Sequence, residues 1–127
     1  DEEILDSTDC MQTLLEMKSA GKIRAIGMST KTTAGAIKAA ELCDLIMVTY
    51  NPSATADEIA IDEAFQKNKG VLIKKAFDSG HACSPGAVTT TKSNLDFALS
   101  KTGVSSVIVG TINPNHLREN ATAAKQR

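Results

Sequence analysis

Short apolar runs alternate along this chain with segments of helical period, and that alternation constrains the fold more than any single motif. Ser7-Thr8-Asp9 can cap a helix whose apolar positions Met11, Leu14, Leu15 and Met17 recur at helical spacing before Gly21. Ile23 to Met28 reads as a short buried strand. Thr32 or Thr33 opens a second helix, with Ala36, Ile37, Ala40 and Leu42 on one side. Asp44 to Tyr50 is a second strand, apolar on both faces. A third helix runs from Ala56 to Lys69, its period set by Ile59, Ala60, Glu63, Ala64 and Phe65, and Gly70 stops it. Val71-Leu72-Ile73 starts a third strand. A loop holding His81, Cys83 and Pro85 leads to a helix from Thr91 to Lys101, carrying Leu95, Phe97, Ala98 and Leu99. The last strand and helix follow from Val104.

Strand starts fall about every 20–30 residues, each followed by a helix, the signature of parallel β/α units. Continuous apolar strands imply that both sheet faces are covered, as parallel sheets require. Four such units suit two architectures: an open doubly wound sheet, or half of an eight-stranded barrel. The β/α repetition is architectural, with no sequence repeat beneath it.

The final unit is the most informative chemically. Val104-Ser105-Ser106-Val107-Ile108-Val109 runs into Gly110-Thr111-Ile112-Asn113-Pro114 and then a polar helix. Asn113 is a good N-cap, and Pro114 takes the first helical position, where its missing N–H costs nothing. The turn therefore aims free backbone N–H groups and the positive end of a helix at the space above the strand, a seat suited to phosphate. An ordinary strand-to-helix turn has the same spacing.

Composition narrows the function classes. The 127 residues, 42% hydrophobic and 23% charged, are those of one globular domain. A net charge of −1 gives no electrostatic case for nucleic acid or an anionic membrane surface, and aromatic content of 3% leaves little for base stacking. No apolar run approaches the roughly 18–20 residues of a membrane span. Cys10, Cys43 and Cys83 share no metal-like spacing and read as reduced thiols of a cytoplasmic protein. Asp78, His81 and Cys83 lack the spacing of a metal site, so no metal ligand is assigned. Asp57, Glu58, Asp62 and Glu63 read as a solvated acidic helix face, and Met11 and Met17 as core fillers.

Four segments carry a family resemblance. Gly21-Lys22-Ile23-Arg24-Ala25-Ile26-Gly27-Met28-Ser29 resembles the segment entering the fifth strand of the aldo-keto reductases. Ser106-Val107-Ile108-Val109-Gly110-Thr111, with Asn113-Pro114, Leu117 and Glu119-Asn120, resembles that family's eighth strand and cofactor-binding helix. Tyr50-Asn51 and Lys74-Lys75-Ala76-Phe77 fall where the family has its sixth and seventh strand ends. The resemblance extends from Ser7 to Asn120. It implies the C-terminal half of a triose-phosphate-isomerase-type (TIM) barrel, spanning residues 1–127, that binds NADP(H) or NAD(H) and reduces an aldehyde or ketone.

The family's catalytic Tyr, Lys, Asp and His come from the first half of the barrel, and no catalytic residue is assigned here. Tyr50, the one tyrosine, is not placed by the motif among such partners. For the cofactor, the resemblance implies Ser29 at the nicotinamide carboxamide, with Thr30 where the family usually has Asn and Met47 where a Gln commonly completes the clamp. Lys74 stands where many members stack a Tyr, and Lys75 matches the lysine of branches with Met-Lys-Pro there. Gly110, Thr111 and Ile112 match the turn that holds the adenosine phosphate. Glu119 and Asn120 match the pair at the adenine side, and His116 falls where NADPH-preferring members place an Arg. Local chemistry offers plainer roles too: Ser29 as a helix cap, Lys74 and Lys75 as a solvated strand end.

The leading expectation is an NAD(P)H-dependent oxidoreductase of the aldo-keto reductase family, this chain supplying the dinucleotide-holding half. A nucleotide-sensing or regulatory protein on the same fold is the second, and a free-standing open α/β binding module the third. Asp1-Glu2-Glu3 at one end and Lys125-Gln126-Arg127 inside a helical pattern at the other suggest a fragment, catalytically inactive alone. Its expected partners are a small carbonyl substrate and either the N-terminal half of the barrel or a second copy, with neither nucleic acid nor membrane among them.

Overall fold

The computed structural model describes residues 1–6, 8–78, 80 and 90–125. Four parallel strands, β1 (Gly27–Ser29), β2 (Leu45–Thr49), β3 (Gly70–Lys74) and β4 (Ser106–Val107), form one sheet in the order β1-β2-β3-β4. A doubly wound sheet reverses its strand order at a switch point. Here each strand joins on the same side as the last, the progression of a barrel wall, and this settles the choice between the two architectures. Register is continuous: Ser29 pairs with Met47, Met47 with Leu72, and Leu72 with Ser106.

Among the described residues six α-helices accompany the strands: α1 (Glu2–Asp6), α2 (Thr8–Ser19), α3 (Thr33–Leu42), α4 (Glu58–Gln66), α5 (Thr91–Ser100) and α6 (Pro114–Lys125). Successive parallel strands joined by right-handed crossovers put their helices on one face. In keeping with that, α3 packs on β1, β2 and α4, while α4 packs on β2 and β3. The core lies between these layers. Ile46, Val48, Val71 and Ile73 are fully buried against a helix surface of Ala36, Ala39, Ala40, Ala60, Ile61 and Ala64. Alanine at most of these helix positions lets α3 and α4 approach the sheet closely.

The strands are not equally buried on both faces, as their sequences suggested. β2 and β3 alternate: Leu45, Met47, Leu72 and Lys74 on the opposite, concave face are only half-buried, and Gly27 and Ser29 of β1 are exposed. Gly27 is required where β1 meets β2, because a Cβ there would lie 2.4 Å from the Leu45 Cδ1.

Several local expectations need correction. The first strand is three residues, not the Ile23–Met28 run, because the preceding backbone turns to meet Asp44: Ile26 N–H donates to its carboxylate at 2.8 Å, and Asp44 N–H donates to the Ile26 carbonyl at 2.8 Å. The fourth strand keeps only Ser106 and Val107 in the ladder. Met17, Leu15, Ile59 and Phe65 follow the helical period yet are exposed, and the small residues Ala60 and Ala64 take the buried stripe of α4. The acidic face of α4 is not merely solvated. Asp57 accepts from Thr33 Oγ1 at 2.7 Å and from Thr49 N–H at 3.2 Å, Glu58 and Asp62 pair with Lys101, and Glu63 pairs with Lys67.

Candidate functional site

The C-terminal ends of all four strands open on one side, where β/α barrels assemble their sites. After β4 the chain builds a turn through its own side chains. Thr111 Oγ1 accepts from Asn113 N–H at 3.1 Å, and Asn113 Oδ1 accepts from Asn115 N–H at 2.9 Å, capping α6 one residue before Pro114 as its sequence anticipates. The helix thus starts at a fixed point beside the strand end. A cleft of about 270 Å³ lies there, lined by Gly110, Thr111, His116, Glu119 and Asn120 together with Phe77 and Thr91. Five of the eight residues expected from the sequence therefore share one cavity. Ile112 is the exception within that segment: its side chain is fully exposed and points away.

Gly110 is informative for a second reason. A Cβ built on it would meet nothing within 4 Å, and its φ lies outside the left-handed region. The described residues therefore leave open space over the backbone at this point of the cleft.

The remaining expected residues gather at the ends of β1 and β3. Ser29 does not cap α3; Thr32 does, its hydroxyl accepting from Gly35 N–H at 3.0 Å. Ser29 Oγ instead accepts from Lys74 Nζ at 3.0 Å, and the same ammonium donates to the Thr30 carbonyl. Lys74 therefore reaches across β2 on the concave face. Burial and the neighbouring Lys75 and Lys31 hold its ammonium below the usual lysine range, against the opposing pull of Asp57. Thr30 is 2% exposed, and its hydroxyl oxygen has no hydrogen-bond partner.

Lys75 is exposed and adopts a left-handed backbone, φ 55°, at the start of the turn carrying Phe77 to the cleft. That turn is fixed from β2. Asn51, 1% exposed, donates from Nδ2 to the Lys75 carbonyl at 2.8 Å and accepts from Ser53 N–H at 2.9 Å. Asp78 N–H donates to the same carbonyl at 2.9 Å. Asn51 is a positioning residue that local sequence pattern did not reveal, since its partner lies 24 positions away.

Tyr50 is buried and stacked on Phe97, ring centroids 4.9 Å apart, and burial foremost pushes its phenol above the usual tyrosine range. Its role is packing. His81 and Cys83 lie outside the described residues. Among the described residues no cluster of His, Cys, Asp and Glu is placed to hold a metal ion, and no helix is long and apolar enough to cross a membrane.

No family model and no curated protein matches the chain. Solved structures do. A crystal structure from Pseudomonas aeruginosa, provisionally described as an aldo-keto reductase, superposes with a TM-score of 0.86 at 36% identity, covering 99% of this chain and 46% of that one. A second structure with the same description and organism gives a TM-score of 0.86 and 36% identity over 99% of this chain and 47% of its own. The chain thus spans about half the length of the proteins it matches. With its unreversed parallel strand order and its identity to those structures, the chain belongs to the aldo-keto reductase family and corresponds to one half of the family's barrel.

Proposed function

We propose that the protein is an NAD(P)H-dependent oxidoreductase that reduces aldehydes or ketones to alcohols, and that this chain supplies the half that holds the dinucleotide. The observation carrying this reading is the cleft beside β4, where Gly110, Thr111, His116, Glu119 and Asn120 converge at the start of a capped helix. Pro114 has no N–H and the Asn115 N–H is held by Asn113 Oδ1, so it is the positive end of the α6 dipole that suits an anionic phosphate. His116 adds a ring N–H donor, and Glu119 and Asn120 supply acceptors and donors for the polar edge of a base. The open wall at Gly110 leaves room for the ligand to lie against the backbone.

Bound there, the cofactor would supply hydride. The chain's own part is to fix the dinucleotide's adenosine end at α6 and its nicotinamide end near Ser29, so that the reacting carbon is held in one place. NADP(H) is the favoured cofactor and NAD(H) the alternative. The half-buried apolar side chains of Leu45, Met47 and Leu72 on the concave face suit cover by a complementary half-barrel, which belongs to the proposal as the source of the acid catalyst. Free thiols at Cys10 and Cys43 fit a reducing compartment, and cytoplasmic residence is part of the same reading.

The test is fluorescence titration of the intact protein with NADPH and NADH, wild type beside Gly110→Val. Because residue 110 is exposed and a Cβ there meets nothing within 4 Å, the variant should match wild-type stability within about 0.5 kcal/mol, the usual scale for surface changes. Its dinucleotide affinity should fall roughly tenfold or more, about 1.4 kcal/mol. A wild type that binds neither dinucleotide, or a variant that binds as tightly as wild type, would overturn the assignment of this cleft.

A further inference from the structure

Five of the lysines of this chain are held in ion pairs: Lys18, Lys38, Lys67, Lys92 and Lys101 each pair with a carboxylate. Among the described residues, Lys31, Lys74 and Lys75 form no ion pair. These three stand together at the C-terminal ends of β1 and β3, close enough that Lys31 and Lys75 disfavour the charge on Lys74. Among the described residues the acidic group acting on Lys74 is Asp57, and both of its oxygens already accept hydrogen bonds, from Thr33 Oγ1 and Thr49 N–H.

Lys74 itself is half-buried on the concave face. Two of its three N–H bonds are committed, one to Ser29 Oγ and one to the Thr30 carbonyl, which fixes the ammonium in place and leaves a donor over. A partly desolvated cation near two like charges is costly unless something anionic completes it. Its position matters as much as its charge. Ser29 is the residue expected at the nicotinamide end, so an anion on Lys74 lies beside the reacting end of the cofactor rather than its phosphates.

We propose that Lys74 receives the carboxylate of an acidic carbonyl substrate, making the protein selective for aldehydes or ketones that carry an acid group a few bonds from the reacting carbonyl. This rests on the carbonyl-reductase reading above. Lys31 and Lys75 raise the local positive potential that draws such a substrate in. Depression of the ammonium by burial and by its lysine neighbours is the penalty that an incoming carboxylate relieves.

The experiment compares wild type, Lys74→Met and Lys74→Arg in the intact protein. Steady-state reduction is measured with an ω-carboxy aldehyde of four carbons and with the neutral aldehyde of equal length, alongside NADPH titration. Lys74→Met should raise KM for the acid roughly tenfold more than for the neutral aldehyde, the scale of one charge-assisted hydrogen bond, and Lys74→Arg should recover much of the difference. Equal penalties on the two aldehydes would overturn the proposal. So would an equal loss of NADPH affinity, since the lysine would then serve cofactor phosphate. Calorimetric titration with succinate gives a readout independent of turnover: wild type should bind it roughly tenfold more tightly than Lys74→Met. Succinate binding without reduction of any carbonyl would refute the reductase reading while leaving the carboxylate site standing; equal binding by both proteins would refute the site. Should Lys74→Met fail to fold, Lys74→Gln keeps a donor to Thr30 while removing the charge, and serves the same comparison.

Discussion

Asn51 offers the sharpest test of how the site is held. Its side chain is 1% exposed and ties β2 to the turn after β3, donating to the Lys75 carbonyl at 2.8 Å and accepting from Ser53 N–H at 2.9 Å. Asn51→Ala removes both bonds. Each is worth about 1 kcal/mol net. The Lys75 carbonyl retains Asp78 N–H, and Ser53 is exposed, so neither abandoned partner is stranded. A small void where the carboxamide sat adds a further fraction of a kcal/mol. The sum is about 2–3 kcal/mol, read from urea denaturation as a lower midpoint at unchanged slope. Asn51→Asp keeps the shape but cannot donate when ionised, and it sets a carboxylate oxygen against the Lys75 carbonyl. Its folded-state pKa should therefore rise above the unfolded value of about 3.9. The native state then holds the proton more tightly, so stability is greatest below about pH 3.9 and falls as pH rises through the folded-state value. At neutral pH it should be less stable than Asn51→Ala. A loss below about 0.5 kcal/mol for Asn51→Ala, or a pH-independent Asn51→Asp as stable as wild type, would refute the reasoning.

Three further tests probe other parts of the structure. Gly103 has φ 95°, and a Cβ there would sit 2.8 Å from the Phe65 Cβ, while Gly21 has φ 70° with open space around it. Gly21→Ala should cost about 1 kcal/mol of backbone strain, and Gly103→Ala about 1–3 kcal/mol more, measured by chemical denaturation. Asp44 is held below the ordinary carboxylate range first by its hydrogen bond to Lys18 and then by Ile26 N–H. Its contribution is present above about pH 3.9 and is lost as pH falls through the lowered folded-state value; Asp44→Asn should flatten this acid limb of the stability profile by no more than about 1 kcal/mol, since the pair is over a third exposed. Lys101, only 16% exposed, joins α5 to Glu58 and Asp62 of α4, which raise its pKa. The sign reverses here: the contribution is full below about pH 10.4 and disappears as pH climbs through the raised value, so Lys101→Met should lose stability at neutral pH and show less alkaline dependence.

The succession of β/α units and a helix start at Thr32 or Thr33 were legible in the sequence, because each depends on spacing within a few turns of chain, whereas the grouping of Gly110, Thr111, His116, Glu119 and Asn120 came from the family resemblance. What escaped was set by distant partners. Lys74 meets Ser29 across 45 positions and Asp57 meets Thr33 across 24, and no local period encodes either contact. Helical periodicity also misjudged Ile59 and Phe65. Large apolar residues on α4 look like core by type, yet the close approach of α3 and α4 to the sheet admits only the alanines beside Ile61. Strand lengths failed for a related reason. A buried apolar run extends beyond its ladder wherever, as at Ile26, the backbone bonds to a side chain instead of a strand.

No residue of α6 is buried, and beside it a second cavity of about 290 Å³ runs between Leu95 and Leu99 of α5, Val107 of β4, and Leu117, Ala121 and Ala124 of α6 itself. The helix that carries His116, Glu119 and Asn120 is thus secured at its first turn and loosely seated along its length. Were a ligand of the neighbouring cleft to grip the first turns and draw this apolar seam shut, its binding would be thermodynamically linked to the seating of the helix. Part of the contact free energy would then go into ordering protein rather than holding ligand, and the affinity would understate the contacts made. Conversely, any substitution that fills the seam and seats α6 in advance would tighten binding without touching the ligand.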